Sequence, residues 1–136
     1  MAGLVLDASV ALAVALQQAN RHLAAPIMAR VVEDSAAVPG IWHLEVGNVL
    51  LLAERRGTIS AADRTAALAD LLRLPVEVDM DTANRAWRDT FALAERHRLT
   101  LHDAAYLELS QRRALPLGTF DAPLRRAAVA VGVELL

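Results

Sequence analysis

The chain has 136 residues, of which 55% are hydrophobic, and a formal net charge of −2. It has no cysteine, and all 14 of its basic residues are arginine. The missing cysteines exclude disulfides, thiolate metal sites and cysteine nucleophiles; the missing lysines exclude a P-loop, a Schiff-base enzyme and the usual phospho-receiver site.

The length suits one domain with a substantial core, and the hydrophobic share argues against disorder. The near-neutral charge advertises no global field for nucleic acid, although it leaves room for a local basic rim. Met1-Ala2-Gly3 carries no basic segment, and Asp7 interrupts the apolar stretch behind it, so no signal peptide is expected. No apolar run approaches the roughly 18–20 residues of a membrane span. The expectation is a soluble cytoplasmic protein with no membrane contact.

Leu4-Val5-Leu6 is a short continuous apolar run, the pattern of a central parallel strand buried on both faces. A short apolar helix follows from Ala8 to Leu16. A second helix is expected from a cap at Asn20 to Val32, broken or kinked at Pro26. Ala36-Ala37-Val38 reads as a weak strand ended by Pro39-Gly40. Ile41 to Arg56 reads as a strong helix stopped by Gly57. Ser60 and Asp63 have capping-box spacing for a helix to Leu72. Val76-Glu77-Val78 is the next strand, and one helix is expected from Asp81 or Thr82 to Arg98. Thr100 to Asp103 opens a helix that ends near Arg113. Leu115-Pro116-Leu117 reads as a strand, Pro123 to Ala130 as a helix and Val133-Glu134-Leu135 as a closing strand. Strands alternating with helices predict an α/β fold with a parallel sheet.

Four acids fall at element ends. Asp7 either caps the following helix or stands at the carboxyl end of the first strand, the edge where open α/β sheets bind ligands. Glu45 lies in Trp42 to Leu52, a segment apolar nearly all round and so expected to be mostly buried. A buried carboxylate needs a partner or a metal. The nearest arginine along that helix is Arg55, out of reach, while Asn48 lies one turn away. Asp103 either completes a capping box with Thr100 or joins the other acids, with His102 beside it as ligand, proton shuttle or bystander. Asp121 either caps the last helix or shares the sheet edge with Thr119. Glu54, Asp70, Glu95 and Glu108 read as members of solvated faces.

A doubly wound sheet would place Asp7, Glu45, Asp103 and Asp121 along one edge. Two carboxylates about 4 Å apart repel by about 4 kcal/mol at an effective dielectric near 20. The usual compensation is a hard divalent cation such as Mg²⁺ or Mn²⁺. A cation held by carboxylates activates water and steadies the leaving oxygen of a phosphodiester. Nearby arginines would hold substrate phosphates.

Four stretches carry a family resemblance: Leu4 to Val10 (LVLDASV), Glu45 to Leu50 (EVGNVL), Leu99 to Leu107 (LTLHDAAYL) and Leu115 to Asp121 (LPLGTFD). In this order and spacing the chain resembles the PIN-domain ribonucleases, most closely the VapC-type toxins of bacterial toxin–antitoxin pairs. The resemblance spans essentially the whole chain, residues 1–136 as one PIN domain. It implies a parallel sheet of four or five short strands with helices on both faces. It also implies that Asp7, Glu45, Asp103 and Asp121 form a catalytic, metal-binding centre supported by Ser9, Asn48 and Thr119. The activity implied is Mg²⁺- or Mn²⁺-dependent endonucleolytic cleavage of RNA. The implied partners are a cognate VapB-type antitoxin, a second copy in a homodimer, and operator DNA through the antitoxin alone. Gln17-Gln18-Ala19-Asn20 lacks acids often seen there in relatives, and the position of Asp121 varies among them.

Two other readings stay open. One is a catalytically silent PIN fold that binds a partner. The other is a haloacid-dehalogenase-like phosphatase with Asp7 as nucleophile, a chemistry that usually wants a second acid where Ser9 stands.

Overall fold

The computed structural model describes residues 1–136. Four strands, β1 (Leu4–Leu6), β2 (Ala36–Val38), β3 (Val76–Val78) and β4 (Leu117–Gly118), form one parallel sheet in the order β3-β2-β1-β4. The helices are α1 (Ala8–Ala15), α2 (Arg21–Asp34), α3 (Trp42–Arg55), α4 (Ala61–Leu72), α5 (Thr82–Ala86), α6 (Asp89–His97), α7 (Leu101–Arg113) and α8 (Ala122–Ala130). None is long and apolar enough to cross a membrane.

The chain steps outward from β1 to β2 to β3, then returns to the far side of β1 for β4. The direction of winding therefore reverses between β1 and β4. Loops leaving two adjacent strands in opposite directions open a crevice at their carboxyl ends. β1 and β2 are fully buried, as their Leu-Val-Leu and Ala-Ala-Val sequences require. Trp42, Tyr106 and Leu107 complete the core around them.

Several expectations need correction. Pro26 does not break α2, which runs unbroken across it. Pro26 and His22 are both exposed, so the carbonyl that loses its helical partner can turn to water. Asn20 stands at the cap position of α2, but its side chain caps nothing. The single helix expected over 81–98 is two, α5 and α6, separated at Trp87 and Arg88. No proline or glycine marks that break. Arg85 spans it with ion pairs to Asp81 (2.8 Å) and Asp89 (3.2 Å), and the change of direction buries Thr90 and Ala94.

The strand expected at Leu115 to Leu117 lies two residues later. Pro116 has no N–H, but its carbonyl accepts from Val5 N at 2.8 Å, which aligns Leu117 and Gly118 with β1. The expected closing strand is a single bridge between Leu117 and Leu135. Gly118 allows close packing there, since a Cβ on it would sit 3.0 Å from Ile27 Cγ2.

α3 is not buried all round. Trp42, Val46, Leu50 and Ala53 face the core, while Leu44 is 77% exposed. Glu108, expected on a solvated face, is buried and bonded to Arg112. The reason is tertiary: Arg112 also reaches Asp79 at the end of β3, which draws Glu108 into a charged cluster beneath α5 and α6.

Candidate active site

Asp7 follows β1 directly. Its N–H donates to Gly118 O at 2.9 Å, which locks it to the end of β4, and it is 5% exposed. Its carboxylate caps nothing on α1. Instead, Oδ2 accepts from Ser9 Oγ (2.6 Å) and Thr119 Oγ1 (2.7 Å). Each hydroxyl accepts in turn from a backbone N–H, Ser9 from Phe120 (3.0 Å) and Thr119 from Asp121 (3.1 Å). These inbound donors occupy the hydroxyl lone pairs, so the hydroxyl protons point at Asp7. Ser9 and Thr119, named from the sequence as supports, are thus the two side chains that hold Asp7, and Oδ1 has no hydroxyl partner. Burial pushes the Asp7 carboxyl above its ordinary range; the two hydroxyls pull it back in part, and the charge of Asp121 adds to the rise.

Glu45 sits in the first turn of α3, half-buried. Tyr106 OH donates to its Oε1 at 2.7 Å. Burial raises the Glu45 carboxyl, the Tyr106 bond opposes it, the charge of Asp7 raises it further and His102 lowers it.

Asp103 sits in the first turn of α7. Thr100 Oγ1 accepts from its N–H at 3.1 Å, so Thr100 caps the helix. The box closes at Ser60 and Asp63, where both reciprocal bonds form (3.0 and 3.2 Å). At Thr100 only the first bond forms, and the Asp103 carboxylate turns elsewhere. Burial, then the charges of Asp121, Asp7 and Glu45, push it up to about 6. Asp121 does two jobs: its Oδ2 caps α8 by accepting from Leu124 N (3.0 Å), and its charge bears on Asp7 and Asp103.

The four acids named from the sequence therefore share one electrostatic environment, although they come from four separate segments. Asn48 is different. It is exposed and makes no side-chain hydrogen bond to any of them. His102 is also exposed. Two contributors escaped the sequence reading. Tyr106, the only tyrosine in the chain, holds Glu45. Arg125 donates to Thr119 O at 2.8 Å and steadies the loop that carries Thr119 and Asp121. The signal for Tyr106 was its phenol inside an otherwise apolar helical run, since a buried hydroxyl needs a partner. Arg125 gave no comparable signal.

As they stand, no three His, Asp or Glu side chains are gathered closely enough to hold a metal ion. The donor set nonetheless fits one by its chemistry. It is all oxygen, which hard cations prefer, and the carboxyls of Asp7, Glu45 and Asp103 are raised by burial and by the charge of neighbouring acids.

A family model described as PIN domain matches residues 4–130. The chain belongs to the PIN domain family. Members of this family are generally nucleases and typically use divalent metals. The fold agrees. The crystal structure of PAE2754 from Pyrobaculum aerophilum matches with a TM-score of 0.70 at 21% identity, over 98% of this PIN domain chain and 83% of that one. No curated protein matches the sequence.

Proposed function

We propose that this PIN domain is a metal-dependent endoribonuclease of the VapC toxin type, which cuts RNA phosphodiester bonds in the cytoplasm and is neutralised by a VapB-type antitoxin. The reading includes a homodimer and contact with operator DNA only through the antitoxin. One observation carries it: Asp7 is buried at the switch point, held by two hydroxyls, and within the electrostatic reach of Glu45, Asp103 and Asp121.

Asp7, Glu45, Asp103 and Asp121 would hold Mg²⁺ or Mn²⁺, which supplies a more acidic water and neutralises charge at the phosphate. The protein's own part is positioning. Ser9 and Thr119 orient Asp7, Tyr106 orients Glu45, and Thr100 sets the first turn of α7 that presents Asp103. A phosphatase with Asp7 as nucleophile is disfavoured, because the residue two positions on is a hydroxyl donor to Asp7 rather than a second acid.

The test is direct. Purified protein is incubated with total RNA in Mg²⁺, Mn²⁺ or EDTA, alongside Asp7→Ala. Internal cleavage that needs the cation and disappears in the variant is expected. Cleavage that survives in EDTA, or no cleavage under any condition, overturns the proposal.

A further inference from the structure

We propose that the cleft between α2 and the β4–α8 segment seats one nucleotide of the RNA strand beside the acidic centre. The proposal rests on the ribonuclease reading above and adds where the strand lies.

The cleft measures about 750 Å³, in the range of pockets that enclose small ligands. It adjoins the acids covalently. Phe120, which forms part of its wall, stands between Thr119 and Asp121, and its N–H donates to the Ser9 hydroxyl that holds Asp7. From Phe120 the cleft extends along α2 to Arg30, whose guanidinium lies 3.4 Å from Gly3 O at the start of β1. A strand placed with one phosphate at the acids would lead its neighbouring nucleotide along this path.

The lining has the chemistry of a nucleotide. Leu23, Ile27 and Phe120 give it apolar and aromatic surface for a base, and Arg30 and Arg125 supply cations for phosphate. No acidic side chain lines it. Arg125 spends one nitrogen on Thr119 O, and Arg30 donates Nη2 to Gly3 O with Nε 3.7 Å from Asp34, so both retain free N–H donors. Asn20 brings an amide to the wall. Other clefts lack this combination. The one between α1 and α4 contains Asp63 and Asp70 and no cation. The one under α6 sets Arg85, Arg96 and Arg112 against Asp89 and Glu108 and has no aromatic residue.

The test measures binding without cleavage. A fluorescent single-stranded RNA dodecamer is titrated in EDTA with wild type, Phe120→Leu and Arg30→Ala, each first shown to be folded by circular dichroism. Loss of stacking should weaken binding by at least about fivefold in Phe120→Leu. Loss of one phosphate contact should reduce the slope of log K against log salt by about 0.7 in Arg30→Ala. Titration of the wild type with adenosine 5′-monophosphate, followed by amide NMR, should shift Asn20, Leu23 and Phe120, and this arm needs no variant. If wild type binds and cuts RNA while both variants match it and those amides stay still, the nucleotide site is wrong and the ribonuclease reading stands. If wild type neither binds nor cuts RNA, both fail. Shifts of the same amides with protein concentration alone would give the cleft to a second copy and overturn the proposal.

Discussion

Tyr106 OH donates to Glu45 Oε1 at 2.7 Å across 61 positions of sequence. The bond ties the middle of α7 to the first turn of α3, and it is the only side-chain hydrogen bond that Glu45 receives. Tyr106→Phe removes the hydroxyl without opening a cavity. A hydrogen bond of this kind contributes about 1 kcal/mol. Cleavage should therefore fall by roughly fivefold through misplacement of Glu45, while stability falls by no more than about 1 kcal/mol. Rates and melting curves measured on the same preparation check this. A variant that cuts as fast as wild type would show that the Glu45 position is set without Tyr106.

Asp7→Asn separates function from stability. Asparagine can still accept from Ser9 and Thr119, but it brings no charge. Cleavage should drop by on the order of a hundredfold, as when one preorganised charge-stabilising group is removed. The metal-free fold should become more stable, because a buried carboxylate raised by desolvation and by Asp121 is gone. A lower melting temperature in EDTA would contradict the assignment.

The acids also set a pH dependence. Asp103 titrates near 3.8 in an unfolded chain and is pushed up to about 6 in the fold. Between those values the fold keeps the proton that the unfolded chain has lost. The stability this group contributes is thus complete below about pH 3.8 and is lost as the pH rises to about 6. Asp7 and Glu45 act in the same direction. Asp79 and Asp81 oppose them, but their carboxyls lie below the ordinary range, so they act on the acid side of this window. Melting in EDTA should show a loss of stability between about pH 4 and 6. Mg²⁺ or Mn²⁺ added at neutral pH should recover it by binding the charged carboxylates.

Arg112 holds the opposite side of α7. It bonds Asp79 through two nitrogens (2.6 and 3.1 Å) and Glu108 through Nε (2.9 and 3.0 Å). The side chains of Asp79 and Glu108 are only 8% and 6% exposed. Arg112→Met leaves both carboxylates without compensation and should cost about 3–5 kcal/mol in urea unfolding. Adding Glu108→Gln should return part of that loss. If Arg112→Met unfolds at the wild-type urea concentration, the cluster contributes nothing to stability.

Local signals explain which parts of the fold could be read in advance. Leu4-Val5-Leu6, a continuous apolar run, is a strand buried on both faces, and so is the more weakly marked Ala36-Ala37-Val38. Ser60 and Thr100 mark helix starts by their own side-chain chemistry. The misread segments lacked such signals. Nothing at Trp87 and Arg88 announces a break, because packing against α7 and the ion pairs of Arg85 decide it. Pro116 misplaced β4 because the ladder uses its carbonyl and not its missing N–H.

The candidate site divides in the same way. Sequence by itself singled out the candidate groups: Asp7, Glu45, Asp103 and Asp121, with Ser9, Asn48 and Thr119 as supports, and no lysine or cysteine for other mechanisms. Parallel strands bring the segments after β1, β2 and β4, and with them Asp7, Glu45 and Asp121, to one edge, whereas Asp103 arrives on α7 from α6. Only the tertiary structure decided how each acid is held. Whether Asp103 closes a capping box, whether Asp7 caps α1, and which residue holds Glu45 depend on partners distant in sequence. A carboxylate takes the donor that folding brings to it, and neither its own residue type nor its neighbours in the chain specify that donor.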